Sequence, residues 1–296
     1  MSVEKVNLFS VELDHHLDEF GFRHAATGVG GDIGAERIGA GVYEADAGLP
    51  IWPYHYHHGV EEWLYVLVGA PVLREPAGER TLAPGDLVCF PSGHVGAHTV
   101  KGPGRFVIFS TGQRPSMSVY PDSDKASGPE GILLRSSAVG YWHGEGTAGP
   151  SEPVEIEREP ETSPPQPVVN VLEPHEDARL GRLLGADKLD ATVLDLDAGE
   201  GSEPYHYVFG REEWLLVLAG APTLRHAEGE DQLEPGDLVC FRDGPAGARR
   251  LLNRGETALR ALFLSTTGLP ANVCYPDTGD WLIRNGPGPD DVVRAS

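Results

Sequence analysis

The chain has 296 residues, 45 of them acidic and 23 basic for a formal net charge of −22, and it is 40% hydrophobic and 23% charged. This composition excludes disorder throughout and gives room for two domains of average size. The negative balance repels phosphate backbones and anionic lipid heads, so nucleic acid and membrane surfaces are excluded as expected partners.

Along the chain, the first sixteen residues (MSVEKVNLFSVELDHH) show neither a basic leader region nor an apolar one, and no run of 18 apolar residues follows, so a soluble cytoplasmic protein is expected. GVYEAD (41–46), EEWLYVLVG (61–69), DLVCFP (86–91) and RFVIFST (105–111) are short runs rich in Val, Leu, Tyr, Trp and Phe. They are separated by Gly/Pro turns such as EPAGE and APGD. With 38 Gly, 25 Pro and few helix-favouring runs, the expected fold class is all-β, an antiparallel barrel or jelly roll. In the 61–69 run both alternating sets are apolar, with Glu62, Leu64 and Val66 on one face and Trp63, Tyr65 and Leu67 on the other. One face is expected to line a barrel and the other to pack on a partner.

The segment from Pro53 to Phe90 returns from Pro204 to Phe241 without a gap, with about two thirds of the positions identical. The register extends back to GVYEADAG against TVLDLDAG and forward to VYPDSD against CYPDTGD, so both halves share one fold. Between them EGTAGPSEPVEIEREPETSPPQP, rich in Pro, Glu, Ser and Thr, is expected to be a solvated, extended linker. The division is 1–150 for an N-terminal barrel, 151–167 for the linker and 168–296 for a C-terminal barrel. The Trp214, Leu216 and Leu218 face of the second unit, or a second chain, is the partner expected for the Trp63 face. Cys89 and Cys240, in identical GDLVCF contexts, and Cys274 read as core thiols, and Asp86 and Asp237 as turn residues.

Chemistry concentrates in Tyr54-His55-Tyr56-His57-His58-Gly59-Val60-Glu61-Glu62 and in Pro91-Ser92-Gly93-His94-Val95-Gly96-Ala97-His98. His55 and His57, two apart on a strand, point to one side, and a carboxylate after the Gly-containing turn can join them. Neutral imidazoles with a carboxylate suit Fe(II), Mn(II), Ni(II), Zn(II) or Cu(II) and leave positions open for substrate or oxygen. His58 and Glu61 read as supporting or exposed neighbours. Tyr54, Tyr56 and Trp52 read as packing or pocket-lining residues.

This spacing resembles the cupin superfamily. Its first motif falls on Gly48, His55, His57, Glu62 and Gly69, with one extra residue after Gly48. Its second falls on Gly85, Pro91, Gly93 and His98, at a longer gap than the simplest form, which leaves His94 as a competing ligand. Two motifs in each of two repeats resemble a bicupin: two tandem cupin-type jelly-roll barrels with short flanking helices and loops. The resemblance implies one divalent transition metal per chain, Fe(II) or Zn, Mn or Ni, held by His55, His57, Glu62 and His98. Glu62 tunes the ion or acts as base, with Tyr54 as a second catalytic candidate, and no other cofactor site is indicated.

The second repeat keeps His206, Glu212 and Glu213 but carries Val208 in place of His57 and Arg249 in place of His98. Two ligands are too few for a tight divalent site, so this site is expected to be degenerate, with Arg249 paired to Glu213 or taking an acidic ligand. The expected function is a metal-dependent enzyme acting on a small-molecule substrate, foremost a non-haem Fe(II)-type dioxygenase. Alternatives are a metal-dependent isomerase, lyase or cyclase, and a non-catalytic small-molecule-binding bicupin. Monomer and homodimer both fit two barrels in one chain.

Overall fold

The computed structural model describes residues 2–112, 115–145, 147, 149–156, 158–160, 163–174, 179–285 and 290–295. The fold is all-β, with one α-helix of five residues (Leu180–Leu184) and single 3-10 turns among the described residues. Seven strands form the main sheet of the first barrel in the order Val168–Asn170, Asp86–Phe90, Glu62–Gly69, Gly104–Thr111, Ile38–Ala45, Phe22–Gly28 and His15–Glu19. Smaller antiparallel sheets close over it, one of them carrying Tyr56–His58 and the other Val72–Glu75. The second barrel repeats the plan, with a main sheet ordered Lys5–Asn7, Asp237–Phe241, Glu213–Ala219, Leu259–Thr266 and Leu189–Leu196.

Two apolar faces on one strand produce two cores. Leu64 and Val66 point into the first barrel with Val88, Phe106 and Ile108. Trp63, Tyr65 and Leu67 point out of it, into a cluster that also holds Trp214, Leu216, Leu238 and Leu262 of the second barrel. Trp63 and Trp214 are fully buried, and the Trp214 ring meets Phe109 edge to face at 5.9 Å. The second repeat therefore covers the Trp63 face within this one chain.

The barrels also exchange strands. Lys5–Asn7 pairs antiparallel with Asp237–Phe241 of the second barrel, and Val168–Asn170 pairs with Asp86–Phe90 of the first. The Pro-Gly-Asp turns make this possible. Gly85 and Gly236 sit at φ of +88° and +89°, where a side chain is strained, and a Cβ there would strike Asn170 and Phe9 of the incoming segments at 2.6 and 2.3 Å. Asp86 and Asp237 cap their turns through the amides of Ala83 and Glu234 and then bind the incoming strand, Asp86 through Asn170 Nδ2 and Asp237 through Lys5 Nζ at 2.6 Å.

Most described residues of 151–167 are exposed, but the segment is pinned to the first barrel at two points. Glu159 accepts hydrogen bonds from the Tyr56 hydroxyl at 2.6 Å and from Arg135. Gln166 is buried, its backbone N–H donating to the Glu75 carboxylate at 2.8 Å. These polar groups pack because they find partners on the first barrel. Gly146, Ala148, Glu157, Glu161 and Thr162 of that stretch lie outside the described residues. No helix among the described residues is long and apolar enough to cross a membrane.

Candidate metal centre

His55 and His98 face each other across a narrow antiparallel bridge, each backbone N–H donating to the other's carbonyl at 3.1 and 2.8 Å. His57 follows two residues on, on the edge strand Tyr56–His58, so its ring falls on the same side as His55. Glu62 opens the central strand Glu62–Gly69 on its barrel-lining face. His55, Glu62 and His98 offer ligand atoms all within 4.8 Å of one another. His57 joins them, its Nε2 lying 3.0 Å from both His55 Nε2 and a Glu62 carboxylate oxygen. His98 Nε2 lies 3.6 Å from the same oxygen.

The backbone fixes which nitrogens face inward. His55 Nδ1 lies 2.9 Å from the Pro53 carbonyl and His98 Nδ1 2.9 Å from the Gly96 carbonyl. A carbonyl only accepts, so both Nδ1 atoms carry the proton and both Nε2 lone pairs point into the cluster. His57 Nδ1 is held by Ser118 Oγ at 2.9 Å. Phe90 stacks on His98 with centroids 3.7 Å apart and planes at 5°, and Trp52 stands edge-on to both His55 and His98.

Burial drives the His98 imidazole down to about 3, helped by the neighbouring His55, and it also lowers His55. Both are therefore neutral at physiological pH. Burial alone would raise Glu62, but the hydrogen bond from His57 and the charges of His57, His98 and His55 hold it at about 2. His55, His98 and Glu62 thus converge in ligand protonation states.

The donor set fits a divalent ion. His98 Nε2 is fully buried and has no hydrogen-bond partner, a costly state for a lone pair unless something else uses it. Ligand nitrogens at about 2.1 Å from one ion and cis to each other lie roughly 3 Å apart, the separation seen between His55 and His57.

Other expected site residues lie elsewhere. His94 sits in the 3-10 turn His94–Gly96, and it is His98 that stands with His55 and Glu62. Tyr54 has its ring under the Arg74 guanidinium at 4.0 Å, and burial pushes its phenol up to about 12. Alternation sends Tyr54 away from the side His55 takes, and it makes no ring contact or hydrogen bond with the cluster among the described residues. Glu61 corrects the reading of a supporting or exposed neighbour: it is 1% exposed and bonds the second barrel. Its carboxylate accepts the backbone N–H groups of Asp187, Lys188 and Leu189 at 2.7, 3.1 and 3.0 Å and the Trp63 indole N–H at 2.9 Å. Ser118 and Tyr120, which stacks on His55, escaped the motif because they reach the site from the distant strand Met117–Tyr120, whereas Phe90 stands directly before Pro91 of the second motif.

The second barrel repeats the frame with other chemistry. His206 and Arg249 form the bridge equivalent to His55 and His98, and His206 Nδ1 lies 2.8 Å from the Pro204 carbonyl. Val208 stands where His57 stands. The Arg249 guanidinium forms a buried ion pair with Glu213. Burial lowers that guanidinium to about 10 and lowers His206 to about 4, so at neutral pH Arg249 is charged and His206 is not.

No family model and no curated protein matches the chain. Among solved structures, a variant of the oxalate decarboxylase of Bacillus subtilis gives a TM-score of 0.53 at 14% identity, over 92% of this chain and 79% of its own. The same enzyme, in a structure concerned with its Mn(II) centres, gives 0.51 at 13% over the same shares. At such identities the likeness shows the fold alone. A sugar phosphate isomerase of the cupin superfamily from Silicibacter pomeroyi is 25% identical over 39% of this chain and 73% of its own, with a TM-score of 0.38 that supports no argument.

Proposed function

We propose, from the premise that the chain is a bicupin in fold, that it is a metal-dependent enzyme acting on a small organic molecule, with its ion held by His55, His57, Glu62 and His98. The observation that carries the reading is the fully buried, unpartnered His98 Nε2 beside the Glu62 carboxylate and two further imidazoles. We infer an oxygen-dependent reaction of the non-haem Fe(II) dioxygenase type. A bound divalent ion supplies a Lewis acid at such a centre and, where it is redox-active, a path for electrons between substrate and oxygen. Mn(II), the ion of the decarboxylase's centres, suits the same donors.

The chain's own residues divide the work by burial. His98 and His55 form the closed floor, kept neutral and oriented by the Gly96 and Pro53 carbonyls. His57 and Glu62, with side chains 19% and 16% exposed, border the side from which a substrate enters. Phe90 and Trp52 shield the floor from water, which strengthens every charge interaction inside.

A redox-neutral reaction, by an isomerase, lyase or cyclase, is the second reading. Two phenols favour it: Tyr120 stacks on His55, and Tyr43 lies close enough to Glu62 for that charge to add to burial in raising it. Either can hold a proton over a substrate. Elemental analysis of the purified protein, with His57→Ala alongside, tests the centre. One ion per chain, lost in the variant, supports it, and equal metal in both proteins refutes it. Substrate-dependent oxygen uptake that requires Fe(II) then selects the oxygenase, and turnover under anaerobic conditions with Mn(II) or Zn(II) selects the redox-neutral reading.

A further inference from the structure

Four of the 23 basic residues of this acidic chain, Arg179, Arg211, Arg249 and Arg284, line one cavity of about 280 Å3 in the second barrel. Three carboxylates share it, and two of them are already engaged. Glu213 is paired with Arg249, and Asp190 accepts the backbone N–H groups of Gly181 and Ala191 at 3.0 and 2.9 Å. Glu203 stands at the rim with its side chain 69% exposed. Arg284 reaches outward to Asp290 at 2.9 Å.

Arg211 is different. Its Nε is buried with no hydrogen-bond partner, and its Nη2 reaches only the Gly268 carbonyl at 3.5 Å. Among the described residues no carboxylate forms an ion pair with it. Burial lowers its pKa, and so do the neighbouring charges of Arg284 and Arg179, against the opposing charge of Asp190. Arg249 Nε is likewise buried and unpartnered. Two buried guanidinium groups, each with an unmet Nε donor, thus line one cavity, and the acceptor oxygens of a bound anion would satisfy them. The remaining wall mixes hydroxyls of Thr192 and Ser265 with the apolar Val208, Val273 and Phe263.

We propose that the second barrel binds a small organic monocarboxylate in this cavity, its carboxylate on Arg211 and the Nε edge of Arg249 and its apolar body against Val208, Val273 and Phe263. The planar fork of a guanidinium matches a carboxylate, and the nearby Glu213 charge disfavours a dianion. The volume lies at the small end of ligand sites, which restricts the ligand to a few carbons or one ring. This goes beyond the reading of the first barrel and does not depend on it.

Titration calorimetry on the full chain tests the proposal, with benzoate and isobutyrate as probes, benzamide as the neutral analogue and inorganic phosphate as the dianion. Benzoate or isobutyrate is expected to bind one per chain, at least tenfold tighter than benzamide or phosphate. That affinity is expected to fall at least tenfold in Arg211→Gln and severalfold in Arg284→Gln, and to be unchanged in His57→Ala. Arg284, at the cavity edge, gives a second variant should Arg211→Gln fold poorly. The absence of binding by either carboxylate, equal binding of benzamide, tighter binding of phosphate, or a loss seen in His57→Ala but not in the arginine variants would each overturn it.

Discussion

Truncating Glu61 to alanine removes the acceptor for four buried donors at once: three consecutive amides of the second barrel and the Trp63 indole. A stranded buried donor costs about 1–3 kcal/mol. If one water enters the vacated space and satisfies two of the four, the remaining two cost about 2–6 kcal/mol. Relief from burying a carboxylate offsets part of this, leaving an expected loss of about 2–4 kcal/mol, which overlaps the roughly 3–5 kcal/mol for breaking a buried charged pair from one side. Glu212 is its mirror, accepting the amides of Glu36, Arg37 and Ile38 and the Trp214 indole, so Glu212→Ala should lose a similar amount. The assay is urea unfolding of the full chain followed by tryptophan fluorescence and circular dichroism, with Glu61→Gln, which keeps one acceptor oxygen, expected in between. A loss in Glu61→Ala below about 1 kcal/mol, as for an exposed glutamate, would refute the clamp.

Further outcomes are expected at the metal centre. His57→Ala and His98→Ala should each strip the ion from the purified protein, whereas His206→Ala leaves its metal content unchanged. Ser118→Ala, which frees His57 Nδ1, should weaken metal affinity about 10- to 100-fold in a competitive chelator titration while leaving the fold intact. The metal-stripped protein should lose stability as the pH falls. His98 is held at about 3 in the folded chain but titrates near 6.5 when unfolded, so the unfolded state binds the extra proton between those values. Its contribution is complete above about pH 6.5 and falls by up to roughly 1.4 kcal/mol per pH unit below it. Urea midpoints at pH 7 and pH 5 measure this, and His98→Phe should flatten the slope.

The ligand quartet and the repeat were legible because each is a local pattern. His55, His57 and Glu62 lie within eight residues, so period-two alternation places them, and Arg249 against Glu213 follows from aligning the repeats. What could not be read was anything made by distant strands meeting, such as Ser118 on His57 or the Arg211 cavity. Glu61 did leave a signal. Alternation puts it on the face of Trp63, not of Glu62, and the second repeat has the same Glu-Glu-Trp but Val208 and Arg249 where the first has His57 and His98. A residue shared by both repeats where the histidines differ points to a role in the fold. The strand exchange left none, because Lys5–Asn7 and Val168–Asn170 are three-residue edge strands whose partners lie over 200 and about 80 residues away.

The exchange and the clamps together explain how one barrel can lose its ligands without the chain losing its second half. The first barrel's sheet is completed by Val168–Asn170, and three amides at the start of the second barrel are held by Glu61. The reverse contacts, Lys5–Asn7 on the second barrel and Glu212 on the amides of Glu36 to Ile38, are their mirror images. None of these uses a metal ligand, since Glu61 and Glu212 face the partner barrel while Glu62 and Glu213 face inward. In the second barrel a guanidinium then stands where His98 stands in the first, and its charge balances Glu213. The same frame thus carries different side chains inside the second barrel, where Arg179, Arg211, Arg249 and Arg284 line one cavity.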